Sequence, residues 1–139
     1  MALTKFTLYH LVKSEDLNHH GTLFAGRSAE WFVEAGFIAA ADQARPENIV
    51  CLKIHGMRFN RPVQRGEVIR FESKIAFAGR TRLVASIKMM GKDDHDQIVE
   101  GFITFIHVDM DGNPTPHGIT LNPETEEERQ LQASAQNLQ

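Results

Sequence analysis

Residues Trp31 to Ala41 read WFVEAGFIAAA, and Glu34 is the only charge in that run. Ten apolar or glycine positions surround one carboxylate. A helix of this composition has to bury nearly every face. A buried carboxylate is costly unless it is paired, and its pKa rises. Chains keep such a group for catalysis or for an interface. The stretch before it, DLNHHGTLFAGR from Asp16 to Arg27, is polar and carries glycine. A loop offering Asn and His side chains, then a helix start, then a buried acid, has the order of an active-site entrance.

Outward from this segment the chain reads as strands. Thr4 to Val12 alternates Phe6 and Leu8, and the helix is expected from about Phe24 to Gln43, stopping before Arg45-Pro46. Ile49 to Phe59 reads as a strand with Gly56 at a bulge or close approach. Glu67 to Phe77 alternates imperfectly, Thr81 to Met90 puts Leu83, Ala85 and Ile87 on one face, and Gln97 to Val108 is the last strand. Glu124 to Gln139 is polar, and a short exposed helix is expected there. One strand, one apolar helix and four further strands predict an α+β domain in which an antiparallel sheet wraps a single helix. The expected domain is 1–139, with its core at about 4–120 and a tail at 121–139. So apolar a helix needs more cover than one small sheet provides. Two copies joined edge to edge would supply it and would remove free strand edges. A homodimer is therefore the expected minimum, with tetramer and hexamer open.

Composition narrows the function. The 139 residues carry a net charge of −3, which disfavours nucleic acid as the main partner. A single cysteine, Cys51, rules out an intramolecular disulfide and suits a reducing cytoplasm. The N-terminus shows no signal-peptide core, and no apolar run approaches the ~20 residues of a membrane span. A cytoplasmic location with no membrane partner is expected. Adjacent His19 and His20 lack the spacing of a helical zinc pair, so no metal site is expected.

Three blocks resemble the hot-dog-fold acyl-CoA thioesterases. Asn18-His-His-Gly21-Thr-Leu-Phe24-Ala-Gly26 is similar to that family's N-x-x-G-x-x-F-G-G loop. Phe59-Asn-Arg-Pro62-Val63-Gln-Arg-Gly66-Glu67-Val68 resembles F-x-x-P-V-x-x-G-D-x-V, and Gly79-Arg80-Thr81 stands where the family has G-R-T-S. A fourth, weaker block is Phe105-Ile-His-Val108-Asp-Met-Asp-Gly112-Asn-Pro114. The resemblance spans residues 10 to 117. It implies a hot-dog fold, hydrolysis of an acyl-CoA thioester, coenzyme A as part of the substrate, and no cofactor. The family's catalytic aspartate falls seven residues after the second glycine, on Val33, and Glu34 is next. One helical step turns a side chain by about 100°.

Glu34 is the candidate general base, with a buried ion pair as its other reading. Glu30, one turn earlier on the same face, is the competitor. Asn18 is either an Asx-turn residue or, as the resemblance implies, a contact to the thioester or the attacking water. The Gly26 N–H, at a helix start, would face a developing oxyanion. His20, Gly21 and Phe24 are expected to border the substrate. Arg58, Arg80, Thr81 and Arg82 are read as either solvated turn residues or phosphate ligands for the nucleotide end of coenzyme A, alongside Arg61 and Arg65. His55 is read as a packed strand histidine. Two alternatives stand beside hydrolysis: an acyl-CoA-binding or sensing protein without turnover, favoured by Val33, and a dehydratase or hydratase using His20 and Glu34.

Overall fold

The computed structural model describes residues 3–138; Met1, Ala2 and Gln139, the ends of the expected domain, lie outside the described residues. Strand β1 (Phe6–Leu11) leads into helix α1 (Ala25–Gln43), followed by β2 (Ile49–Phe59), β3 (Val68–Ala78), β4 (Arg82–Met90), β5 (Gln97–His107) and helix α2 (Glu126–Gln136). The strands form one antiparallel sheet in the order β1-β3-β4-β5-β2.

Helix α1 lies across one face of the sheet because its apolar residues repeat at helical spacing. Ser28, Trp31, Phe32, Ala35, Gly36, Ala39 and Ala40 are buried, against Ile69, Phe71, Ile87, Ile103 and Phe105 among others. Each fully buried large apolar side chain contributes about 1.5–3 kcal/mol. Gly36 lets helix and sheet approach closely, since a Cβ there would lie 3.1 Å from both Ile87 and Ile103 Cδ1. The helix ends as Ala44 N–H donates to Ala40 O and the chain reaches Pro46.

The imperfect alternation of β3 has a physical cause. Ile69, Phe71, Ser73 and Ile75 are buried on the helix side, and a register shift between Ile75 and Phe77 then changes the phase. A second irregularity falls at Gly56, where φ is +66° and the register with β5 shifts between His55 and Arg58.

Two expectations are corrected. Helix α1 is not buried on nearly every face: Glu30 and Glu34 form an exposed stripe opposite the sheet. One sheet covers one side of a helix, and the opposite side of α1 carries these charges to solvent. The tail helix is not merely exposed. Leu131, Ala135 and Leu138 seat α2 on the outer face of the sheet against Ala76, Phe77, Val84 and Phe102. Its start is fixed by Thr125, whose side chain accepts the Glu128 N–H at 3.0 Å, and by the Glu128 carboxylate, which accepts N–H groups from Leu3, Glu124 and Thr125.

Strand β2 is an open edge. Val50, Leu52 (65% exposed), Ile54 and Phe59 present apolar side chains to solvent along this edge.

Candidate active site

The loop before α1 is built around Asn18. Its Oδ1 accepts the His20 and Thr22 N–H groups at 2.8 and 3.2 Å, and its Nδ2 donates to Thr22 Oγ1 at 3.1 Å. Gly21 takes φ +81° to close the turn, and its N–H donates to Asn18 O. Asn18 thus makes an Asx-turn and also lines a cavity of about 390 Å³ at the start of α1. The opposite wall is the β2–β3 loop, from Phe59 through Val63. The two loops are stitched together by the Leu23 N–H, which donates to Val63 O at 2.8 Å, and by pairing of Thr22 with Gln64.

Helix α1 starts at this cavity without a side-chain cap. The Phe24 carbonyl takes the Arg27 and Ser28 N–H groups at 2.9 and 3.2 Å, while those of Ala25 and Gly26 have no acceptor among the described residues. The Phe24 ring lies over Gly26, where a Cβ would come within 2.5 Å of it. A side chain there would have to displace the exposed Phe24 ring. Free N–H groups at a helix start favour negative charge.

The buried carboxylate of this region is Asp16, not Glu34. Asp16 is 4% exposed. It accepts the Lys13 N–H at 2.9 Å and faces Arg27 Nε at 3.3 Å, so its charge is compensated. Glu34 is exposed on the protomer and does not line the Asn18 cavity. Its charge is felt at His10 on β1, whose ring stacks on Trp31 at 4.1 Å. Burial lowers the His10 pKa, and Glu34 and Asp16 work against that shift. Glu30 is exposed as well, 3.8 Å from Arg27 Nη1. Val33 is half-buried against the core. His19 and His20 are exposed at the loop tip with their rings paired at 3.9 Å, and no contact joins His20 to Glu34 among the described residues.

The arginines divide into separate groups. Arg61 is held by Asp96 (2.9 and 2.6 Å) and Glu67 (3.1 and 2.9 Å), so its charge is already neutralised. Arg58 is exposed on β2, beside an open cleft that His55 also borders. His55 itself is hydrogen-bonded through Nε2 to Thr104 Oγ1 at 2.7 Å. Arg82 lies over the Phe77 ring at 4.9 Å and donates to Gln136 O at 3.3 Å, at the last turn of α2. Arg80 is exposed in the β3–β4 turn, and Thr81 O accepts the His107 N–H at 2.7 Å. Arg80, Thr81 and Arg82 stand at the opposite end of the sheet from Asn18. Arg82 pairs with Ile106, whereas Asn60, in the cavity wall, donates its N–H to Ile98 O. The eight-residue step between Ile98 and Ile106 along β5 corresponds to about 27 Å. One protomer does not bring these groups together.

The Arg61 link gives a stability prediction. Bonding to Arg61 is the main cause that holds the Glu67 and Asp96 carboxyls below the usual range. Their contribution is therefore complete above the unfolded pKa values of about 4, and it is lost as pH falls through the lower folded values. Arg61→Ala should cost about 1–2 kcal/mol at neutral pH, moderated because each side chain keeps nearly a third of its surface in solvent. Melting curves of the two proteins should differ most at neutral pH and converge in strong acid.

The family model described as the thioesterase superfamily matches residues 20–98, more than half of the chain. The chain belongs to the thioesterase superfamily. The match runs from the Asn18 loop through α1 and the β2–β3 loop to the start of β5. Among proteins similar over most of this superfamily member is the uncharacterized acyl-CoA thioester hydrolase YkhA of Bacillus subtilis, 27% identical over 86% of this chain and 71% of that protein. Another is the acyl-CoA thioester hydrolase YciA of Salmonella typhimurium, 26% identical over 81% and 89%. Of solved structures, an apo-hexameric acyl-CoA thioesterase superposes with a TM-score of 0.86 at 26% identity, covering 95% of this chain and 86% of that one. The acyl-CoA hydrolase of Bacillus cereus gives 0.86 at 25%, covering 94% and 81%. The fold is that of the hot-dog thioesterases, as the sequence blocks implied. No helix among the described residues is long and apolar enough to cross a membrane.

Proposed function

We propose that this thioesterase-superfamily chain hydrolyses acyl-CoA thioesters to a free acid and coenzyme A. The observation that carries the reading is the match to relatives named for that reaction over more than four-fifths of the chain. The donor-rich cavity at the start of α1 supports it. Water adds to the thioester carbonyl, the oxyanion so formed collapses, and the C–S bond breaks with the thiolate taking up the proton the base removed from water. Glu34 is the proposed base, Asn18 orients the water or the thioester, and the Gly26 N–H holds the oxyanion. His20, Gly21 and Phe24, which flank the Asn18 loop, are proposed to border the substrate. No metal or redox cofactor takes part in this scheme.

The site is proposed to be completed by a second copy joined along β2. Antiparallel pairing of two β2 strands inverts one sheet relative to the other. Arg80 of the partner subunit then comes to the end of the sheet where this protomer carries Asn18 and Gly26. The nucleotide phosphates would lie along that partner edge, with the partner's Thr81 and the partner's Arg82 on one side and Arg58 of this protomer's β2 on the other. The exposed apolar residues of β2 support this arrangement. A dimer is the smallest unit that serves the scheme, and the similar apo-hexameric acyl-CoA thioesterase is itself an oligomer. Binding without turnover is the second reading, favoured by Val33 in the family's aspartate position and by Glu34 standing outside the cavity.

Arg80→Ala tests the nucleotide end. It should raise KM for full coenzyme A thioesters about ten- to a hundredfold and leave short pantetheine thioesters nearly unchanged. Equal losses on both substrates would place Arg80 away from the phosphates.

A further inference from the structure

We infer that Ser28, in the first turn of α1, donates a hydrogen bond to the thioester oxygen beside the Gly26 N–H. The inference rests on the hydrolase reading and adds a residue to it. Ser28 is 1% exposed, and it lines the Asn18 cavity. A helical serine commonly turns its hydroxyl back on the carbonyl four residues earlier. Here that carbonyl, Phe24 O, already accepts two N–H groups, from Arg27 and from Ser28 itself. The Ser28 hydroxyl makes no hydrogen bond among the described residues. No fully enclosed side-chain polar atom among them lacks a partner, so the small surface that this hydroxyl retains opens on the cavity.

An unpaired hydroxyl in so buried a position is a cost that an incoming acceptor removes. The Ala25 and Gly26 N–H groups, also without acceptors among the described residues, lie within the same first turn of the helix. Among the described residues, the one full positive charge lining this cavity, Arg61, is already taken by Asp96 and Glu67. The free donors are therefore neutral and grouped at one end. That suits a carbonyl oxygen gaining negative charge better than a phosphate.

The test is Ser28→Ala, assayed by free-thiol release and, independently, by isotope-edited infrared spectroscopy. The infrared probe is a carbon-13 acyl-dethia-coenzyme A, in which a methylene replaces sulfur and leaves an unreactive ketone. Loss of one donor to the oxyanion should lower kcat about a hundredfold with KM little changed. Alanine is the better helix former and no hydrogen bond is lost, so Tm should be equal or higher. The ketone stretch should be lowered in the wild-type complex and return toward the free value in the variant. A variant with wild-type kcat, a carbonyl frequency unaffected by the substitution, or an analogue that does not bind would each overturn the inference. A wild type that releases no thiol yet shows the Ser28-dependent shift would defeat the hydrolase reading while leaving the Ser28 contact in place.

Discussion

Glu34→Gln is expected to leave the fold intact and to lower kcat by about 10²–10⁴ with a small change in KM. Glutamine keeps the volume of the side chain but cannot take a proton from water. The exposed position of Glu34 on the protomer sharpens this prediction. A buried acid paired with arginine would cost about 3–5 kcal/mol when its charge was removed. An exposed one costs about 0.5 kcal/mol or less. Tm and kcat measured on one preparation therefore separate catalysis from stability. Glu30→Gln is the comparison, since Glu30 lies one turn earlier on the same exposed stripe and faces Arg27. A Glu34 variant that hydrolyses at the wild-type rate would move the base to Glu30.

The second large effect is expected at the β2 edge. Leu52→Asp or Ile54→Asp should weaken self-association more than 100-fold, because joining the strands would enclose an unpaired carboxylate. Both residues are exposed on the single chain, so the protomer should still fold. Sedimentation should give at least twice 15.7 kDa for the wild type and the monomer mass for the variants. If Arg80 of the partner subunit serves the site, turnover of full coenzyme A thioesters should fall with the assembly. An active wild-type monomer at micromolar concentration would remove the partner from the mechanism.

Much of this architecture was legible from local patterns. The β2 bounds matched residue for residue, and those of α1 and the other strands fell within two residues, because turns and proline mark their ends. Gly56 announced its bulge. The burial of α1 was misread because counting apolar residues in Trp31–Ala41 hides their phase: Phe32, Ala35, Gly36, Ala39 and Ala40 face the sheet, while Glu30 and Glu34 share the opposite pole. Asp16 is not legible as the buried acid: its bond from the Lys13 N–H is a local capping contact, but its charge partner Arg27 reaches it only through the fold. The docking of α2 did leave a signal, in Leu131, Ala135 and Leu138 at i, i+4 and i+7. The group of turn arginines was legible as charge but not as position. Arg61 meets Asp96 across 35 residues, and Arg82 meets Gln136 across 54. Ser28 looked like an ordinary helix residue. Its significance comes from the doubly occupied Phe24 carbonyl, which only the three-dimensional structure reveals.

Free-thiol release across a panel of acyl-CoA thioesters of graded chain length tests the central claim most directly. Hydrolysis predicts thiol and free acid in equal amounts for at least one chain length, with release largely abolished in Glu34→Gln. Saturable binding of acyl-CoA with no thiol released anywhere in the panel would contradict it and identify a binding protein instead.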